Sequence, residues 1–315
     1  MLPPASPVPG QIYFQPDTKC CTYQPQMPSY LVGALLSDRD PAVAEGQRRV
    51  RLHIASRIGV TPCWLAPSRK YTLLYRASID SSFGRASLLR CSYLGNDGMC
   101  TVWQHREAVC DTWFCKYSAG PQGTDFWIAL QTYLRRVERR LTQHAVRVLA
   151  PHLVEPPRRP DQLSLEELSD RPPVDAEYGA IWAGWEGHEE AFYRAAHDVV
   201  ARLSREAFDG IVGADCDELR NLQTAFAQII TPPLPSRVML FLHGEPRPVD
   251  DGVYLGTFNT YDPVKVSTPI YEALRALRSD ETVAEFRGRM LRERNLDVAE
   301  EVLMELHRVG VLLGG

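Results

Sequence analysis

The sequence predicts an α+β protein: a cysteine-cluster domain with a short antiparallel sheet and helices, followed by a helical C-terminal unit. Three observations carry that expectation. Four of the eight cysteines fall between Cys91 and Cys115. Stretches with apolar residues three and four apart alternate with short runs rich in β-branched and aromatic residues. Twenty-four prolines gather between those stretches, which marks a rigid chain in several parts rather than a disordered one. At 315 residues the chain is long enough for two or three domains. The division expected is a cysteine-cluster domain over 1–155, a helical segment packing on it over 156–235, and a separate unit over 236–315.

The N-terminal 29 residues, rich in Pro and polar side chains, are expected to run extended, and they carry Cys20 and Cys21. An apolar helix or turn packing on the core follows from about residue 28. Residues 41–58 read as a helix, with Pro41 in the first turn, Val50, Ile54 and Ile58 four apart, and Gly59 as the stop. His53 is a filler there, and Cys63 reads as a buried apolar thiol. Residues 70–79 and 86–94 read as strands around a turn at 80–84, which puts Cys91 near a strand end. Asn96, Asp97 and Gly98 supply a tight turn before Cys100.

The gaps between Cys91, Cys100, Cys110 and Cys115 are eight, nine and four residues. None is the two-residue knuckle of a zinc finger. The segment must fold back to converge its sulfurs or recruit others, and Cys20 and Cys21 are the obvious recruits. Thiolates are soft ligands, suited to Zn²⁺ or to iron–sulfur clusters rather than to Mg²⁺ or Ca²⁺. Four of them close a tetrahedral site or hold a [4Fe–4S] cube. The candidate ligands are therefore Cys20, Cys21, Cys91, Cys100, Cys110 and Cys115, of which one cube takes four. Trp103, Arg106 and Trp113 are the candidate cofactor contacts, with His105, Asp111 and Tyr117 nearby. Rings exclude water, and a guanidinium offsets the negative charge of a thiolate-rich site. An even cysteine count also permits a disulfide framework. Against it, MLPPASPVPG has neither a basic start nor an apolar run, so no secretory signal is expected, and a chain of this length needs no staples. The expectation is a cytoplasmic protein.

Residues 124–149 form the clearest helix, with Thr124 and Asp125 at its start and a stripe through Trp127, Leu130, Leu134, Val137, Leu141, Ala145 and Val148. Arg135, Arg136, Arg139 and Arg140 read as its solvated face. Residues 155–174 are a Pro- and charge-rich linker with a helical turn at 163–169. Residues 175–207 read as one helix whose apolar stripe includes His188, with Glu186, Glu189, Glu190, Tyr193 and His197 beside it. Another helix spans 215–230, where Cys216 reads as a structural thiol. Strands are expected at 237–242 and 252–258, then helices at 268–278, 280–293 and 297–309.

The pattern Cys91-x-x-Leu94, Cys100-x-Val102-Trp103-x-x-Arg106 and Cys110 resembles the YkgJ-type cysteine-cluster family, described as zinc- or iron-chelating proteins. Cys20 and Cys21 match the end of that family's N-terminal cluster. The flagellin lysine-N-methylase family is similar in the same two segments. The resemblance covers about residues 17–120. It departs at Glu107, where the family has Pro, at Asp111, where it has Arg, and in the shortened Lys19-Cys20-Cys21. It implies metal binding more strongly than any reaction. The element order of the C-terminal unit, ending in Gly310-Val311-Leu312-Leu313, resembles a winged-helix or PqqD-like peptide-binding module, which implies a peptide or protein partner.

Two functions follow. The first is a metal-binding protein holding an iron–sulfur cluster or a Zn or Fe ion. The second is a metal-dependent enzyme that modifies a peptide or protein side chain. The absence of a Gly-x-Gly-x-x-Gly loop, a radical motif, a P-loop and a serine elbow favours the first. A net charge of −4 and the acidic C-terminal unit make no case for nucleic acid. No apolar run approaches the roughly 20 residues of a membrane span.

Overall fold

Residues 15–24 coil through successive turns instead of running extended. Their polar side chains find partners across the chain: the Thr18 hydroxyl donates to the Gly84 carbonyl at 2.9 Å, and the Gly84 N–H donates to Thr22 Oγ1 at 2.7 Å. Both threonines are fully buried. This is a computed structural model, and it describes residues 12–113, 120–153, 163–229 and 234–315.

Strand β1 (Met27–Pro28) pairs antiparallel with β2 (Trp64–Leu65). Helix α1 (Ser29–Ser37) follows directly. Helix α2 (Ala44–Ser56) starts after a 3-10 turn over Pro41–Val43, where the Asp40 carboxylate accepts the Ala42 N–H at 2.9 Å. It ends at Arg57, whose φ is 60°, two residues before the glycine expected to stop it. A Cβ on Gly46 would stand 2.1 Å from the Thr101 carbonyl oxygen, so α2 backs directly onto the cysteine segment.

The strand pair expected over 70–79 and 86–94 is absent. Helix α3 (Arg69–Ser82) and a 3-10 turn (Ser87–Leu89) stand there instead. Ser68 caps α3 by accepting the Tyr71 N–H at 3.1 Å. Tyr71 and Tyr75, four residues apart, stack nearly parallel with centroids 6.2 Å apart. A cap and an i,i+4 pair outweigh the weak strand preference of the composition. Cys91 therefore follows a 3-10 turn rather than a strand.

Helix α4 (Ala108–Thr112) is short, and α5 (Gly120–Leu149) runs 30 residues, starting before the cap expected at Thr124. Helix α6 (Leu165–Leu168) is closed by a capping box between Ser164 and Glu167. The single helix expected over 175–207 is three: α7 (Asp175–Trp182), α8 (Glu189–Ala201) and α9 (Arg205–Val212). The first break falls at Ala183, Gly184 and Gly187, all with positive φ, the region glycine enters without steric cost. His188 is consequently an exposed residue at the start of α8, not part of the core. The core position belongs to Trp182, fully buried with Tyr178, Phe192 and Tyr193 against Val32 and Leu35 of α1. Gly33 permits this close crossing, because a Cβ there would lie 1.8 Å from the Tyr193 carbonyl oxygen. Helix α10 (Asp217–Gln228) packs on α5.

The last 80 or so residues gather a second hydrophobic cluster around Leu274, Phe286, Met290, Leu303 and Leu306. Strand β3 (Val238–Leu240) pairs with the final strand of the chain. Strands β4 (Arg247–Val249), β5 (Gly252–Leu255) and β6 (Val264–Val266) form an antiparallel meander. Strands β4 and β6 were not expected. Helices α11 (Thr268–Arg275), α12 (Val283–Arg294) and α13 (Glu300–Arg308) lead to β7 (Leu312–Gly314). The unit meets the cysteine-bearing part through Tyr261, whose ring lies 5.4 Å from Phe14. Among the described residues no helix is long and apolar enough to cross a membrane.

Candidate metal centre

Three segments bring cysteines together. The first is the turn carrying Cys20 and Cys21. The second is a tight loop from Cys91 to Thr101. Gly98, with φ 75°, turns it; the Gly95 N–H donates to Met99 O at 2.8 Å, the Met99 N–H donates to the Asp97 carboxylate at 2.9 Å, and Leu94 bridges Cys100 in antiparallel register. The tight turn expected at 96–98 is present. The third segment is α4, which carries Cys110.

The first two segments are laced together. The Cys91 N–H donates to the Cys21 carbonyl at 2.7 Å. The Gln24 side chain accepts the Ser92 N–H and donates to the Ser92 hydroxyl, both at 2.8 Å. Lys19 Nζ donates to the Gly98 carbonyl at 2.7 Å. Each of these is an ordinary hydrogen bond, and together they fix the register of two segments some seventy residues apart.

The thiols act on one another. The side-chain contact between the adjacent Cys20 and Cys21 lowers the pKa of Cys20 and raises that of Cys21; burial and the nearby Cys20, Cys91 and Cys100 push Cys21 further up. Burial raises Cys91 to about 12, and Cys100 adds to it. Cys100 is raised by burial and by Cys20, against the pull of Arg106. Cys110 is raised by burial, by the charge of Glu107, and by Cys91 and Cys100. Five thiols from three segments thus share one partly buried region where a second negative charge is unwelcome. Cys20, Cys21, Cys63, Cys91, Cys100, Cys110 and Cys216 are all free thiols.

Arg106 faces this region. Its guanidinium lies 3.5 Å from the centre of the Trp103 ring and pairs with Asp111 at 2.8 Å. Its Nε is buried without a hydrogen-bond partner among the described residues. Trp113 packs edge-on against Phe83, centroids 4.9 Å apart. Trp103 is more than half exposed, so it shields the region on one side only. His105 is turned away: its Nε2 meets the Asp38 carboxylate at 2.8 Å. Cys63 is buried in the core, and Cys216 sits at the start of α10 beside Glu218 and Tyr133. Cys115 and Tyr117 lie outside the described residues.

Two carboxylates were missed as part of this region. Glu107 caps α4, accepting the N–H groups of Val109 at 2.8 Å and Cys110 at 3.1 Å, and it stands beside the Cys110 thiol. Glu138 of α5 accepts the Ala108 N–H at 2.7 Å. The signal for Glu138 was its place between Val137 and Leu141 in the apolar stripe. Burial raises both carboxyls, Glu138 to about 8 with a further push from Glu107. A carboxyl raised in the folded state favours folding while it is protonated, so its contribution fades as pH climbs from the ordinary carboxyl range toward 8. Glu138→Gln keeps an oxygen for Ala108 and carries no charge. At pH 8 it is expected to be more stable than the parent by on the order of 2 kcal/mol, and equal to it below about pH 4. Urea denaturation at the two pH values checks this; equal stability at both would show Glu138 to be charged without cost.

Among the described residues no group of three His, Cys, Asp or Glu side chains is already arranged to hold a metal ion. The donor set nonetheless fits a soft metal or a cluster: the thiols are partly or wholly withdrawn from water, and the charge of Arg106, whose Nε has no hydrogen-bond partner among the described residues, pulls the Cys100 thiol down. No protein-family model, curated protein or solved structure matches this chain.

Proposed function

We propose that this protein binds metal, with Cys20, Cys21, Cys91, Cys100, Cys110 and Cys115 as the thiolate donors for an iron–sulfur cluster or a Zn or Fe ion. The observation that supports it is the convergence of five thiols, from a turn, a tight loop and a short helix: Cys91 is bonded to Cys21 through the backbone, Cys100 stands at the foot of the same loop, and Cys91 and Cys100 bear on the ionisation of Cys110. Inert core thiols need no such convergence, and Cys216, buried at the start of α10, stands apart from the others.

When bound, such a group supplies positive charge that lets buried thiols ionise, and a cluster adds one-electron redox capacity. The protein's own residues prepare the place. Arg106 supplies a fixed cation that acts on Cys100, and a buried N–H donor with no partner among the described residues. The backbone bonds from Cys91 to Cys21, and from Gly95 to Met99, hold the sulfur-bearing segments in register. Glu107 occupies the N–H groups at the start of α4, so that those donors are not competing for a thiolate. This reading makes the chain a relative of the YkgJ-type cysteine-cluster proteins, and it makes the C-terminal unit the surface for a peptide or protein partner. Supporting the latter, Met239 and Leu313 form an exposed cross-strand pair with Phe241 exposed beside them.

The test is an absorbance spectrum with iron, sulfide and zinc analysis on protein purified without oxygen. A broad band near ~400 nm with iron and sulfide is the result expected of a cluster. Colourless protein with stoichiometric zinc is the result expected of an ion. Colourless, metal-free protein with oxidised cysteines would overturn the proposal.

A further inference from the structure

Arg136, Arg140, His144 and Arg147 follow one another along α5 at steps of four, four and three, which places them on one face of the helix. Opposite them the chain turns out of α9 over Gly210–Gly213. Between the two lies a cleft of about 410 Å³ lined by these residues and by none of the cysteines. That size falls within the ordinary range of small-molecule sites. The floor is open, since a Cβ on Gly210 would meet nothing within 4 Å.

The charges in the cleft are unevenly employed. Arg136 is committed: its Nε donates to the Val212 carbonyl at 3.0 Å, and its Nη1 meets Glu218 at 3.3 Å. Arg140 and Arg147 are exposed and have no carboxylate, carbonyl or ring partner among the described residues. The end of α9 contributes roughly half a negative charge, which Arg136 already answers in part. Two unpaired guanidinium groups outweigh the remainder. In a chain of net charge −4 this is a local reversal of sign on a concave surface, where field lines concentrate.

Guanidinium forks match phosphate oxygens in geometry as well as charge. Arg140 and Arg147 are seven residues apart, about 10 Å along the helix axis, with His144 between them as a further hydrogen-bonding group. One phosphoryl group reaches one fork. Two linked phosphoryl groups reach both. We propose that this cleft binds a small ligand carrying a diphosphate, either free or as part of a nucleotide.

The experiment is calorimetric titration of the full chain with orthophosphate, pyrophosphate and ADP at low salt, repeated with the Arg140→Ala/Arg147→Ala double variant. Pyrophosphate is expected to bind about tenfold more tightly than orthophosphate, and the double variant to lose about tenfold or more of that affinity, with an unchanged melting temperature because both side chains are exposed. Tighter binding of ADP than of pyrophosphate identifies the nucleotide source; equal or weaker binding identifies the free diphosphate. No binding of either diphosphate at millimolar concentration, or binding that the double variant does not weaken, would overturn the proposal. So would tighter binding of a single-stranded RNA oligonucleotide that the same variant abolishes, since the cleft would then serve a macromolecule.

Discussion

Serine in place of Cys100 or Cys110 is expected to remove most of the metal that the proposed site would bind, whereas serine in place of Cys216 is expected to leave the metal content unchanged. Serine keeps the size of the side chain and loses the soft, ionisable sulfur, so the change isolates ligation from packing. Cys100 stands at one foot of the tight loop, and Cys110 is mostly buried beside Glu107. Structural thiolate sites bind zinc with about 10–16 kcal/mol of apparent free energy, much of which doubles as folding free energy. Losing one donor should therefore also loosen the backbone around 91–113. Metal-to-protein ratios and amide hydrogen exchange check both parts. Cys216 is the control because it is buried at 7 % exposure yet stands beside Glu218 and Tyr133, away from the other thiols. Equal metal content in all three variants would sink the assignment.

Trp182→Ala is expected to cost about 3–5 kcal/mol of stability. The indole is fully buried, edge-on to Phe192 at 5.5 Å and to Tyr193 at 5.7 Å, with Tyr178 at 6.2 Å. These rings hold α7 and α8 against α1, and the backbone of α1 is already as near to α8 as Gly33 allows. The surrounding rings are rigid and cannot collapse into the space, so the cavity term is added to the lost burial. Trp182→Phe retains a ring and should cost markedly less. Denaturant titration measures both; a loss below about 1 kcal/mol for the alanine variant would mean that the aromatic nest closes over the gap.

The helices α2, α5, α10, α12 and α13 were legible because periodicity over nine or more residues is a strong signal. The tight turn at Gly98 was legible because Asn, Asp and Gly have a local reason to turn. Residues 70–79 were misread because Tyr, Thr, Leu and Ile suit a half-buried strand, and their composition outvoted the Ser68 cap that in fact starts a helix. The break between α7 and α8 was missed because His188, Phe192 and the apolar residues flanking the glycines continue a helical spacing across it, although Gly184 and Gly187 stood in plain view. At the thiol region, the cysteines declared themselves by type. Glu107 and Glu138 did not, because what makes them part of it is burial and proximity across the fold, which residue spacing does not encode. The arginines of α5 were read as a solvated face for the same reason: the wall opposite them comes from α9, some seventy residues on.

The lacing of Cys21 to Cys91 has a topological consequence. A metal held by thiolates on both sides would be a removable cross-link, closing a loop of about seventy residues. A permanent link of that span lowers the entropy of the unfolded chain by an amount equivalent to about 4 kcal/mol. Chelation would withdraw that constraint without cutting any covalent bond. What would remain joining the N-terminal turn to residues 84–98 are hydrogen bonds, those of Lys19, Cys21 and Gln24 together with those of Gln15, Asp17, Thr18 and Thr22. The N-terminal turn would then be held by those bonds and its buried threonines, and metal supply would set how firmly it stays fastened.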